Sequence, residues 1–256
     1  MLMTPDLTPA GELLPRLRQQ GYAVLGAQAV CALAGCGLTE LRAFEAGWNE
    51  LPPDAYLKDD GRYRRRRHAC FVVERGDVAQ VPHRAHWQPV EYNALHGGME
   101  RWFEPMRPGI AGAPAWRRLL AALGSVASRL RGEQPWFVEA HQFRIDTTDG
   151  IGRPTPEGAH RDGVDLVAVF LVERERIKGG ETRVFEADGP TGQRFTLTQP
   201  WSLLLLDDAR VIHESTPIQP LAEGPPGWRD TLVLTARAGG FQGAGTASVD
   251  RLDATK

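Results

Sequence analysis

His160-Arg161-Asp162 sets an imidazole and a carboxylate two positions apart. In an extended segment both side chains leave the same face, while Arg161 points the other way. His213 follows, after the apolar run Ser202–Leu206 and a turn at Asp207-Asp208. Two imidazoles and one carboxylate on a β scaffold match the facial arrangement that leaves open positions on non-haem Fe(II). Zinc accepts the same donors, so ligand type alone leaves the metal open. The plainer alternative is an exposed His-Arg-Asp turn and an unrelated structural histidine.

Arg229 opens the run Arg229-Asp230-Thr231-Leu232-Val233-Leu234. A guanidinium entering a barrel is costly to bury without an anion, and its planar fork suits a carboxylate. Beside an open-sided metal site it points to a small dicarboxylic co-substrate. A surface Arg229–Asp230 pair at a loop end is the competing reading.

These residues need elements that hold them. From the start to about Gly132 the pattern is mainly helical. Thr8-Pro9 caps a helix through Leu13, Leu14 and Leu17 that Gly21 stops. Tyr22–Leu25 fits a short strand. Apolar residues then recur at helical spacing at Leu38, Leu41, Phe44 and Trp48, at Tyr92, Leu95, Met99 and Trp102, and at Leu119, Leu123, Val126 and Leu130 after Pro114. After Pro135 the pattern turns to short strands between turn signals: Trp136–Ile145, Leu166–Val172, Thr182–Glu186, Arg194–Leu197, Ser202–Leu206 and Thr231–Arg237. The expectation is an α+β chain forming a single domain over 1–256, with 1–134 as mainly helical support, 135–240 as the β core and 241–256 as a tail.

Composition excludes several classes. Thirty basic residues against 32 acidic ones give a net charge of −2, which argues against a dedicated nucleic-acid binder. The 28 glycines and 19 prolines are aperiodic and imply many turns. Cys31, Cys36 and Cys70 lack metal-finger spacing and are too few for a disulfide scaffold. No signal peptide or membrane-length apolar run is evident, so the expected location is the cytoplasm, with no membrane partner.

His160-Arg161-Asp162-Gly163, Gly179-Gly180-Glu181-Thr182, His213 with Thr216-Pro217-Ile218, and Arg229-Asp230 together resemble the Fe(II)/2-oxoglutarate dioxygenases. Within them, the chain is similar to the bacterial branch of free L-amino-acid hydroxylases (isoleucine dioxygenase-like) and biofilm-stress-motility proteins. Tyr92-Asn93 and Arg101-Trp102-Phe103-Glu104-Pro105 add to the likeness, which spans Tyr92 to Arg237. The resemblance implies a double-stranded β-helix, a jelly-roll or cupin-like barrel with flanking N-terminal helices. It implies Fe(II) on His160, Asp162 and His213, with 2-oxoglutarate chelating the iron and O2 as the oxidant. Arg229 would take the distal carboxylate, assisted by Thr216 or Thr182. The product side would be succinate, CO2 and a hydroxylated substrate. Relatives place this arginine closer to the distal histidine, and here Ala222–Gly227 looks inserted between them.

The substrate is expected to be small and polar, and a free L-amino acid fits best. Gln142 and Arg144 share one face of their strand, while His141 and Phe143 share the other. Arg144 directed into the pocket suits a substrate carboxylate, and a solvated strand arginine is the alternative. Asn93 and Arg101 are further substrate-binding candidates. His68, His83, His86 and His96 are expected to be ordinary surface or capping histidines. The run Arg64-Arg65-Arg66-Arg67 is expected to form a solvated or salt-bridged face, with Asp54, Asp59, Asp60 and Glu74 nearby; a substrate-facing arginine and a nucleic-acid contact are the alternatives.

Two other functions fit the same ligands. One is a non-catalytic cupin-like binding or stress-response sensor protein. The other is a Zn2+ or Mn2+ hydrolase or isomerase, for which Glu181 and Glu214 are the available acid/base candidates. No Gly-x-Ser-x-Gly elbow supports a serine nucleophile.

Overall fold

Pro114 supplies the first residue of an 18-residue helix whose buried stripe runs through Leu119, Leu120, Leu123 and Val126. That stripe needs a partner, and a large antiparallel sheet provides it. The computed structural model describes residues 3–59 and 61–243; most of the expected 241–256 tail lies outside them. In chain order the elements are α1 (Leu13–Gln20), β1 (Tyr22–Leu25), α2 (Ala27–Ala34), α3 (Leu38–Arg42), β2 (Arg64–Glu74), β3 (Asp77–Gln80), α4 (Pro108–Ala111) and α5 (Pro114–Arg131). They continue with β4 (Trp136–Asp146), β5 (Leu166–Glu175), β6 (Ile177–Gly179), β7 (Thr182–Glu186), β8 (Gly192–Phe195), β9 (Ser202–Asp207), β10 (Val211–Ser215), β11 (Ile218–Pro220) and β12 (Trp228–Arg237).

The seven-stranded sheet has the order β1-β9-β5-β12-β4-β2-β3, and the three-stranded sheet the order β10-β7-β8. Both are antiparallel; β6 and β11 form a further pair. One face of the large sheet packs Val138, Ala140, Phe170, Leu205, Leu232 and Leu234 against Leu119, Leu120 and Trp116 of α5. The other face presents Val167, Leu171, Leu204 and Leu206 to Val184, Phe195 and Val211 around the small sheet. Residues 203–206 are apolar without alternation because this strand is covered on both faces.

The helical expectation for residues 1–134 is corrected at two places. β2 is an 11-residue strand beside β4, and β3 follows it at one edge of the sheet, opposite the expected strand β1 at the other. Strands from both halves of the chain therefore share one sheet. Four consecutive arginines hid the alternation of β2, because the period is visible only when the two faces differ in polarity. Tyr92 to Trp102 forms turns rather than a helix. A Cβ on Gly97 would strike the Pro89 and Asn93 carbonyl oxygens, and Gly98 takes φ +75°. That tight turn overrides the apolar spacing. The strands expected after Pro135 are present, although Arg194–Leu197 is displaced to Gly192–Phe195, and β6, β11 and β10, the strand that carries His213, are added.

Candidate metal centre and substrate cavity

His160 and His213 are bound to each other through their backbones. The His160 N–H donates to the His213 carbonyl at 3.0 Å, and the His213 N–H returns the bond at 2.9 Å. This bridge brings the loop before β5 against β10, and the two imidazole centroids stand 4.6 Å apart. Asp162 completes the group: its Oδ2 lies 3.7 Å from His213 Nε2. Donor atoms of all three residues lie within 4.8 Å of one another.

The loop is fixed from below by Asp208. Its carboxylate accepts the backbone N–H groups of Asp162, Gly163 and Val164 at 3.0, 2.8 and 3.1 Å. Burial, with the Asp162 charge added, pushes the Asp208 pKa up to about 6. Gly163 takes φ +73°, and a Cβ there would collide with the Tyr92 ring. Glycine is therefore required immediately after Asp162.

The donor set fits a divalent metal such as Fe(II). His160 Nδ1 donates to the Gly158 carbonyl at 2.9 Å, which makes Nε2 the nitrogen available to a metal. Burial, reinforced by His160, holds the His213 pKa well below its ordinary value and keeps that imidazole neutral. Its Nδ1 is buried without a hydrogen-bond partner. Against burial, the Asp162 and Glu157 charges raise the His160 pKa; with that proton released to an incoming cation, two imidazole nitrogens and one carboxylate would leave the rest of a coordination sphere open to the cavity.

These residues stand on a solvent-open cavity whose other walls carry Gln88, Arg101, Glu139 and Arg229. Its broad wall is the inner face of β12, β4 and β2 in strict register. Arg229, Ile145 and Arg64 form one row; Thr231, Phe143 and Arg66 the next; Val233, His141 and His68 the third. Arg229 is 4% exposed and has no carboxylate within 4 Å among the described residues. Burial, and then Arg174, pushes its pKa down to about 10.

The remaining expected site residues divide. Asn93 and Arg101 line the cavity and meet on Gln88, whose Oε1 accepts from Asn93 Nδ2 at 3.1 Å and Arg101 Nη2 at 2.9 Å. Thr182 is buried opposite Ser215, on the same face as His213. Thr216 is turned away from the cavity, its Oγ1 accepting the Glu181 N–H at 2.9 Å.

Arg144 and Gln142 occupy the helix-covered face of β4, not the cavity wall. Arg144 forms a double hydrogen bond to Asp230, Nε to Oδ1 at 2.8 Å and Nη2 to Oδ2 at 2.6 Å. Gln142 is fully buried near Gly47. The alternation of this strand was legible, but its sense was not: Glu139, His141, Phe143 and Ile145 are the residues facing the cavity. Asp230 thus pairs with Arg144 and leaves Arg229 free.

The arginine run is salt-bridged as expected, Arg64 and Arg66 to Asp54, Arg65 to Asp146 and Arg67 to Glu104, but it is not one solvated face. Arg64 and Arg66 are buried at the cavity wall, and only Arg65 and Arg67 face outward. His68, His86 and His96 are buried too; His83 alone of the four is exposed. His68 Nε2 and His86 Nδ1 both donate to Glu139 Oε2, at 2.9 and 2.6 Å. Glu157, also on the cavity wall, approaches His160 Nε2 at 3.5 Å. Gln88, Glu139 and Glu157 carry no signal of their own in the sequence. Glu181 and Glu214, the hydrolase candidates, both bind Arg183 at 3.0 Å.

A family model described as 2OG-Fe dioxygenase matches residues 45–235. The chain is 54% identical to a bsmA homolog from Methylobium petroleophilum PM1, with a TM-score of 0.89 over 94% of this chain and 98% of that one. Its fold is also similar to that of IDO from Bacillus thuringiensis, at 16% identity and a TM-score of 0.70, covering 91% of this chain and 100% of that one. The Fe(II)/α-ketoglutarate-dependent dioxygenase TqaL is 19% identical, with a TM-score of 0.67 over 89% and 86% of the two chains. No curated protein sequence matches.

Proposed function

Because this chain belongs to the 2OG-Fe dioxygenases, non-haem iron oxidoreductases that use Fe(II), 2-oxoglutarate and O2, we propose that it hydroxylates a small polar substrate, a free L-amino acid. The carrying observation is Arg229: a buried guanidinium without an acidic partner, on the same cavity as His160, Asp162 and His213. Such a charge is stable only with an anion supplied from outside. A dicarboxylic co-substrate fits, one end at the metal and the distal carboxylate on Arg229. The two facing antiparallel sheets support a double-stranded β-helix as the scaffold.

His160, Asp162 and His213 would hold the iron on one side and leave its other positions toward the cavity. Bound Fe(II) with 2-oxoglutarate supplies the oxidant that converts a substrate C–H to C–OH while the co-substrate becomes succinate and CO2. The protein's part is orientation and exclusion of water. Val169, Val233 and Phe143 line the space near the polar groups, so the charged ends of both small molecules are held in surroundings where hydrogen bonds to arginine are strong.

The test is succinate release with Fe(II) and 2-oxoglutarate over a panel of L-amino acids, comparing the wild type with His160→Ala and Arg229→Ala. At least one amino acid should stimulate release in the wild type and in neither variant. Absence of the visible charge-transfer band of iron-chelated 2-oxoglutarate in anaerobic wild-type protein would refute the assignment.

A further inference from the structure

Arg64, Arg66 and Arg101 gather three guanidiniums on the cavity wall made by β2 and the segment from His86 to Arg101. Three carboxylates lie near them, Asp54, Glu139 and Glu157, the last without a salt bridge to any of the three guanidiniums. Asp54 accepts from Arg64 Nε at 2.7 Å and lies 3.8 Å from Arg66 Nη1. Glu139 is engaged by His68 and His86. Arg101 is 2% exposed and has no carboxylate within 4 Å among the described residues; its one hydrogen bond goes to Gln88. Arg64 Nη2, Arg66 Nε and Arg101 Nε are buried without partners. Arg66 is clamped between the Phe103 and Phe143 rings, 3.6 and 4.3 Å from their centroids. The wall is therefore held in place, and Arg101 presents its guanidinium to the cavity without a paired carboxylate.

We propose that this wall is an anion-binding subsite, distinct from Arg229, which receives the carboxylate of the substrate and restricts the enzyme to small carboxylic acids. It rests on the dioxygenase reading above and gives its substrate site a defined end. Arg101 is the free fork; Arg64 and Arg66 supply the surrounding positive potential. The hydrogen-bond chain from Arg101 through Gln88 to Asp162, at 2.9 and 3.2 Å, places the subsite beside the metal ligands. A carboxylate held there leaves the rest of a small molecule within reach of the iron.

The same wall contains a second cluster of metal-type donors, His68, His86, Glu139 and His141. Arg66 argues against a cation there. Its Nη2 donates to His141 Nδ1 at 2.8 Å, so the ring proton sits on Nε2 and that nitrogen has no lone pair to give. A dication would also lie among the three guanidiniums.

The experiment is calorimetric titration of the anaerobic Fe(II)·2-oxoglutarate protein with free L-amino acids, N-acetyl amino acids and short aliphatic carboxylates, each paired with its primary amide. At least one acid should bind, and its amide about 100-fold more weakly. Arg101→Gln should weaken the acid by about 100-fold, leave the amide unchanged, and retain the 2-oxoglutarate charge-transfer band. Arg101→Lys should recover part of the loss, and serves if the glutamine variant does not fold. Equal binding of acid and amide, or binding of no acid, would overturn the subsite. The dioxygenase reading fails separately, by a missing charge-transfer band. Binding confined to carboxylates other than amino acids would remove the amino-acid assignment and leave the subsite standing.

Discussion

Gln88 Nε2 donates to Asp162 Oδ1 at 3.2 Å, so a residue of an irregular segment positions a candidate metal ligand. Its other amide atom accepts from Arg101 and Asn93. Asp162 and Arg101 are thus joined through one side chain. Groups that orient metal ligands typically contribute 10–100-fold to affinity.

Gln88→Leu is accordingly expected to weaken Fe(II) binding by about 10–100-fold while the protein stays folded. Titration of the stripped protein with Fe(II), followed by fluorescence or calorimetry, measures this. Unchanged affinity would show that Asp208 and the backbone alone orient Asp162.

Arg229→Met should separate binding from stability. Loss of the distal-carboxylate partner is expected to raise the Kd for 2-oxoglutarate by about 30-fold or more. Without ligand, the buried charge has no partner to compensate it, so its removal should leave the melting temperature unchanged or raise it. A large fall in the ligand-free melting temperature would mean that Arg229 serves a structural anion instead.

Arg144 belongs to the opposite behaviour. Its removal strands the Asp230 carboxylate, whose side chain is 2% exposed. Arg144→Ala should cost about 3–5 kcal/mol in denaturant unfolding. The folded fraction should keep its affinity for 2-oxoglutarate. A selective loss of substrate binding without loss of stability would return Arg144 to the substrate site.

The stability that His86 contributes should fall as the solution is acidified from pH 7, while Asp208 and Asp230, both raised to about 6 chiefly by burial, act in the opposite direction. Burial first, against the pull of Glu139, takes the His86 pKa down to about 4 from 6.5. Between those values the unfolded chain binds the proton and the folded one does not, so stability rises with pH across the window and is lost on going down through it. Each such histidine contributes up to about 1.4 kcal/mol per pH unit there; His68 and His141 are shifted in the same direction, both chiefly by burial. Unfolding curves at pH 7 and pH 5 should converge in part for His86→Gln, and an identical pH slope in the variant would exclude His86 as a source.

What the chain discloses beforehand follows where the physics is local. His160, Asp162 and His213 carry their chemistry in residue type and spacing, and the structure brings them together. The stripe of α5 and most strands after Pro135 show in their periodicity because each buries one face against a contrasting one. The cavity wall was hidden for the converse reason. Arg64, Arg66, His68 and Glu139 are polar residues inside the molecule, so polarity pointed outward where topology placed them inward. On β4, Arg144 and His141 alternate as expected, but only the pairing with β2 and β12 decides which face meets the helices.

The four arginines at 64–67 also bear on how the sheet assembles. A one-residue slip of β2 against β4 would exchange Arg65 and Arg67 for Arg64 and Arg66 with no change of side-chain type, so this end of the strand cannot detect the error. Detection falls to Ala69, Phe71 and Val73, which pack in the helix-side core, Phe71 beside Trp116; the same slip would turn all three toward the cavity. Correct pairing must therefore be proofread from the C-terminal end of β2. Substituting Phe71 by a small polar residue should yield chains trapped in the shifted register even where the arginines are intact.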